Sequence, residues 1–142
     1  MNMSYQEKSI WISLFTTILI FSYYFTNAFS ALNNIDSNKT KIIGLFIGVV
    51  ALVVIVEIVL HIALSFAYRK DTDKGKDERD KWIELKATRN AHFLLIVGVW
   101  ITGVSMLMTE SSLVLANIIM FFFILSEILG FATQLLYYRR GV

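Results

Sequence analysis

Hydrophobic residues fall into four long runs separated by short polar stretches. The runs cover Ile10 to about Phe29, Ile42 to Tyr68, about Ala91 to Met108, and about Leu113 to Tyr138. About 20 apolar residues at ~1.5 Å per residue match the ~30 Å hydrocarbon layer of a bilayer, so each run predicts a membrane span. Beta-branched residues are plentiful in them, but in lipid a helix satisfies every backbone group within its own segment. The expected fold is an all-α membrane protein: one domain over residues 1–142 with four transmembrane helices. Between the runs, Ser30 to Thr40 reads as a turn-rich connection and Thr109 to Ser112 as a tight polar turn.

A cleaved signal peptide is the competing reading of the first run, because Ala28-Phe29-Ser30 loosely fits a small-residue cleavage site. The run exceeds the usual ~7–15-residue apolar region of such peptides. Its amino end also carries only Lys8 beside Glu7, so the run is read as a retained span.

Composition supports the membrane reading. Of 142 residues, 56% are hydrophobic and 17% charged, against about 25% charged in soluble domains. There is no cysteine, which removes disulfides and thiolate chemistry, and no proline, which argues against sharply broken helices. A net charge of +2 is too small to suggest nucleic acid. Lys8, Arg69, Lys70, Lys74, Lys76, Arg79, Lys81, Lys86, Arg89, Arg139 and Arg140 fall on one side of the predicted spans, and only Lys39 and Lys41 on the other. The positive-inside rule then places both termini and the central segment in the cytoplasm.

The chain also repeats itself. Trp11-Ile12-Ser13-Leu14, preceded by Gln6-Glu7-Lys8, lines up with Trp82-Ile83-Glu84-Leu85, preceded by Asp77-Glu78-Arg79, at an offset of 71. Glu57-Ile58 and Tyr68-Arg69 line up with Glu127-Ile128 and Tyr138-Arg139 at an offset of 70. This predicts two parallel-repeated helical hairpins, 5–70 and 77–140, related by an axis along the membrane normal. The Trp and Tyr-Arg elements have a simpler explanation as interfacial anchors. The glutamate pair does not.

Glu57 lies 11 residues before Tyr68, about 16 Å along a helix and so near the bilayer midplane. Glu127 reaches the same depth by the same count. An ionisable residue there costs a few kcal/mol and is a functional-site hypothesis by default. Two carboxylates meeting near an axis would repel, so at least one is expected to hold a proton, or the two to share a proton or cation. His61 shares the face of Glu57 one turn on, and His92 enters the third run at a comparable depth. Glu57, Glu127, His61 and His92 are the candidate proton- or cation-binding residues, with Gln134 extending the seam. The alternative is a purely structural set of cross-helix hydrogen bonds, each worth about 0.6 kcal/mol. Haem ligation by the two histidines lacks a motif, and Glu-x-x-x-His lacks the i, i+3 spacing of helical di-metal sites. No metal or other cofactor is expected.

Gly44 and Gly48 form a GxxxG pattern about 180° around the second helix from Glu57. They are the candidate contact of a homodimer. The central segment Asp71–Arg89 alternates charge, with Gly75 as a break and Asp77-Glu78 suited to a helix start. From Asp80 it reads as an amphipathic lead-in to the third span, or as a docking surface for a cytoplasmic protein over 71–89. Asp77-Glu78-Arg79-Asp80-Lys81-Trp82-Ile83-Glu84-Leu85-Lys86 resembles a D-E-R-D-x-x-I-E-x-K signature of small bacterial four-span membrane proteins of uncharacterised function. The resemblance implies a bacterial cytoplasmic membrane and brings no catalytic residues.

Two functions follow from the residues. One is a small transport-type or proton/cation-coupled protein using the midplane carboxylates. The other is a membrane interaction or regulatory subunit with a structural polar interior. No hydrolase triad, metalloprotease motif or phosphate loop appears, so no catalytic residue is named.

Overall fold

A computed structural model describes residues 5–32, 35–67, 77–109 and 111–140. Four helices account for almost all of these: α1 (Tyr5–Leu32), α2 (Ile35–Ala67), α3 (Glu78–Ser105) and α4 (Ser112–Arg140). Three of them are long and apolar enough to cross a membrane: α1, the Ser37–Phe66 part of α2, and α4. α3 is as long as α1, but its first turns carry the charged residues from Glu78 to Arg89.

Sequence chemistry explains where α3 begins. Asp77, in extended backbone, accepts a hydrogen bond from the Glu78 N–H at 2.7 Å, and the Asp77 N–H donates to Asp80 Oδ2 at 3.2 Å. This reciprocal capping satisfies amide groups that the first turn leaves without carbonyl partners. Acidic Glu78 and Asp80 then sit at the positive end of the helix dipole. The helix continues without interruption from this charged start into the apolar run and ends at Ser105, three residues earlier than the run itself.

The other connection differs from expectation. Ser30–Thr40 is not an open loop: α1 persists to Leu32 and α2 begins at Ile35. Asn38 Nδ2 donates to the Ala31 carbonyl at 3.3 Å, so an end-of-helix acceptor is met by a side chain of the next helix. Tyr68-Arg69 of the expected first repeat, most of the basic residues of the central segment's first half, and Glu110 lie outside the described residues.

Packing follows the order α2, α1, α4, α3, each helix antiparallel to its neighbour. Ser13 meets Glu57 and Tyr24 meets Phe46 between α1 and α2. Tyr24 meets Asn117 and Phe25 meets Phe121 between α1 and α4. α3 lies against α4 with Gly98 directly on Phe122, where an added methyl would overlap the Phe122 side chain, and with Ala91 against Gly130. The close approach at Gly98 is what its missing side chain permits.

A buried cluster of Phe21, Tyr24, Ala28, Val49, Met120 and Ile124 joins α1, α2 and α4 in the half of the bundle away from the termini. At the opposite, basic end, Arg139 lies over the Trp11 ring at 5.6 Å and Lys86 over the Tyr137 ring at 5.7 Å. Such cation–π contacts tie charged side chains to aromatic rings near the helix ends. Leu19, Phe29, Ile47, Phe66 and Trp100 are among the large apolar side chains left exposed. On a water-soluble protein they would be a liability; on helices of this length and composition they are consistent with contact with a lipid bilayer.

Candidate functional site

The polar interior begins with a ladder on α1. Ser9, Ser13 and Thr17 recur every fourth residue, so one face of an otherwise apolar helix carries three hydroxyls. Ser13 and Thr17 are buried. α2 brings Glu57 and His61 to this ladder, again one turn apart.

The Ser13 hydroxyl donates to Glu57 Oε2 at 2.8 Å. His61 Nε2 lies 3.2 Å from the same oxygen and 3.4 Å from Ser13 Oγ, while His61 Nδ1 lies 3.3 Å from Ser9 Oγ. Ser13 spends its one proton on Glu57, so His61 Nε2 is the donor toward Glu57 and Ser13. In the neutral ring, Nδ1 then accepts from Ser9, and the imidazole connects a hydroxyl on one side to a carboxylate on the other. The two residues differ in exposure: the His61 side chain is about half exposed (51%) and that of Glu57 less than a quarter (23%). Glu57 Oε1 is buried and, among the described residues, has no hydrogen-bond donor. An acceptor withdrawn from water without a donor is costly, and more so for a charged group.

Glu57 and Glu127 line the same cavity, of about 540 Å³. α1 and α4 form its back, with α2 contributing Val53, Glu57 and His61 and α3 contributing Glu84. Glu127 stands on the α4 wall with Phe123, Phe131 and Gln134, and among the described residues nothing hydrogen-bonds it. Phe21 and Ile124 belong both to this lining and to the apolar cluster, so the cavity is bounded by packed side chains on one side. Toward the basic end it adjoins a smaller space of about 120 Å³ that shares Ser9, Ile10, Glu84 and Gln134 and adds Gln6, Asp80 and Tyr138. There the Tyr138 hydroxyl donates to Asp80 Oδ1 at 2.7 Å.

Of the residues singled out from the sequence, Glu57, Glu127, His61 and Gln134 are brought together. His92 is not: it is exposed on α3, and neither cavity includes it. One position along a helix turns a side chain by about 100°, and the facing of α3 is decided by Gly98 and Ala91 against α4. Gly44 and Gly48 point into open space, with nothing of the same chain within 4 Å of where a side chain would begin. Among the described residues no three His, Asp or Glu converge as a metal-ligand set.

Sequence reasoning missed Ser9, Ser13, Thr17, Asp80 and Tyr138 as parts of the site. The four-residue spacing of the hydroxyls was a signal for the first three. The expected repeat was a second signal, since the offset of 71 places Ser9 opposite Asp80 and Ser13 opposite Glu84. All four border the connected cavities. Compared with known proteins, the chain matches no family model, no curated protein and no solved structure.

Proposed function

We propose that this chain is a small transport-type or proton/cation-coupled membrane protein in which Glu57 and Glu127 alternate between holding a proton and neutralising a cation. The single observation that carries the reading is that both carboxylates line one cavity inside an apolar bundle. The hydrogen-bonded series Ser9–His61–Glu57 offers a route for the proton, because an imidazole accepts at one nitrogen while releasing at the other. The smaller space at Asp80 and Tyr138 extends the polar lining toward the basic end. By the positive-inside rule that end is cytoplasmic.

In this reading α3 also crosses the bilayer, making four spans of a bacterial cytoplasmic membrane with both termini on the cytoplasmic side. The antiparallel contacts of Ala91 with Gly130 and Gly98 with Phe122 support it, since α3 follows α4 through the apolar layer. Descent from a doubled hairpin is supported by the repeat-related pairs Ser13/Glu84 and Glu57/Glu127 all lining the cavity.

The second reading is a membrane interaction or regulatory subunit, possessing a structural polar interior and docking a protein at the charged segment 71–89, which includes the first turns of α3. It is favoured by the two contacts that already occupy Glu57 Oε2. Purified protein in proteoliposomes with an imposed pH gradient and an internal pH dye separates the two. Glu57→Gln and Glu127→Gln are expected to abolish protein-dependent proton movement while leaving the bundle folded. Movement unchanged in both variants, or none in the parent protein, would sink the transport reading. Loss of function on charge reversal at Asp77 to Lys86 alone would establish the rival.

A further inference from the structure

We propose that the ligand of the Glu57/Glu127 cavity is an organic cation with an apolar, preferably aromatic, body; this rests on the proton/cation reading above and names its substrate class. A proton needs no cavity, and a stripped alkali ion occupies a small part of about 540 Å³. That volume falls within the ~300–1,000 Å³ of small-molecule sites. The described lining contains no Lys or Arg, so the charged groups an anion would meet there are carboxylates, with the half-exposed His61 beside them.

The walls are of two kinds. Glu57, Glu84 and Glu127 come from three different helices, while Phe21, Phe123 and Phe131 line the α1 and α4 sides. A hydrated inorganic cation gains nothing from the phenylalanines. A metal ion would need its ligands gathered at one point, and among the described residues they are not. An organic cation uses both: its positive centre meets the carboxylates, and its body lies on ring faces that attract cations and exclude water. Phe123 is the most available of the rings, at 47% exposed. Glu57 Oε1, buried and without a donor among the described residues, adds negative character behind the same wall. Binding and protonation at the carboxylates would then compete, which is the coupling that the proposed transport requires.

The test uses the full-length protein in detergent micelles, with tetraphenylphosphonium as the probe and neutral triphenylphosphine oxide as the control. Equilibrium dialysis should show saturable binding of the cation and none of the control. Phe123→Leu and Phe131→Leu should each weaken binding about tenfold. Glu127→Gln should weaken it further. Helical content and monodispersity of each variant are checked beside binding, and the milder Phe123→Leu keeps the test informative if Phe131→Leu misfolds. No saturable binding by the parent protein overturns the inference; if carboxylate-dependent proton movement in proteoliposomes persists, the function proposed above still stands. Equal binding by all variants marks micelle partition and also overturns it. Normal binding with proton movement indifferent to Glu57→Gln and Glu127→Gln instead removes the transport reading and leaves a cation-binding membrane protein.

Discussion

The phenol of Tyr24 on α1 donates to Oδ1 of Asn117 on α4 across 2.7 Å, in a fully buried position. It is a polar link between the first helical hairpin and the second, set among Phe21, Phe25 and Phe46 rings. The Asn117 amide nitrogen is held in turn by the Leu113 carbonyl at 2.8 Å, so the acceptor oxygen is oriented toward Tyr24.

Tyr24→Phe therefore keeps the ring and strands the Asn117 oxygen. The expected cost is about 1 kcal/mol, in the range for hydrogen bonds between membrane helices. Denaturant titration of helicity in mixed micelles would measure it. The double variant Tyr24→Phe/Asn117→Ala should cost less than the two single changes added together. Strict additivity would show that the two groups do not interact.

Glycines give opposite expectations according to what lies beside them. A methyl at Gly98 would overlap Phe122, so Gly98→Ala should force α3 from α4 and destabilise the fold by about 1–3 kcal/mol. At Gly44 and Gly48 the space is open, so alanine there should leave monomer stability within about 0.5 kcal/mol. If a homodimer uses the GxxxG face, Gly48→Ala lowers the dimer fraction in native-membrane crosslinking without altering the monomer. The same unfolding assay on all three variants decides the comparison.

At the basic end, the Tyr138–Asp80 hydrogen bond borders the smaller cavity. Tyr138→Phe removes the donor, and the expected loss is about 1 kcal/mol or somewhat more because a carboxylate accepts it. Asp80→Asn should cost more, since Asp80 also completes the cap of α3 through its second oxygen. The chain has no cysteine, so a single Gln134→Cys reports access cleanly. Its alkylation by a soluble maleimide should quicken when Tyr138→Phe is added. An unchanged rate would remove any part for this contact in closing the cavity.

The proposed four-span arrangement makes a further prediction on the same cysteine-free background. Thr109→Cys, in the turn after α3, should be labelled by a membrane-impermeant maleimide in intact cells. Lys81→Cys should be labelled only after permeabilisation. Labelling of Thr109→Cys only after permeabilisation would leave α3 on the cytoplasmic side and require another topology.

Much was legible in the residues themselves. Run length determined α1, α2 and α4 as apolar helices of membrane-crossing size, because lipid leaves a single chain segment few other ways to satisfy its backbone. The start of α3 at Asp77-Glu78 was readable because it depends on neighbours within one turn, although the part of Asp80 in the cap was not named. The joining of Glu57 to His61 followed from four-residue spacing. Facing between helices was not readable to the same degree. Whether His92 turns inward depends on how α3 seats against α4, and that is decided by the contact of Gly98 with Phe122, which lie far apart in the sequence. The same holds for Ser13, which spacing placed on a polar stripe but only the packing of α1 on α2 placed 2.8 Å from Glu57. Local order is encoded by periodicity along one helix; a shared cavity requires the rotations of several helices at once, and these are set by side-chain fit that no single stretch of chain contains.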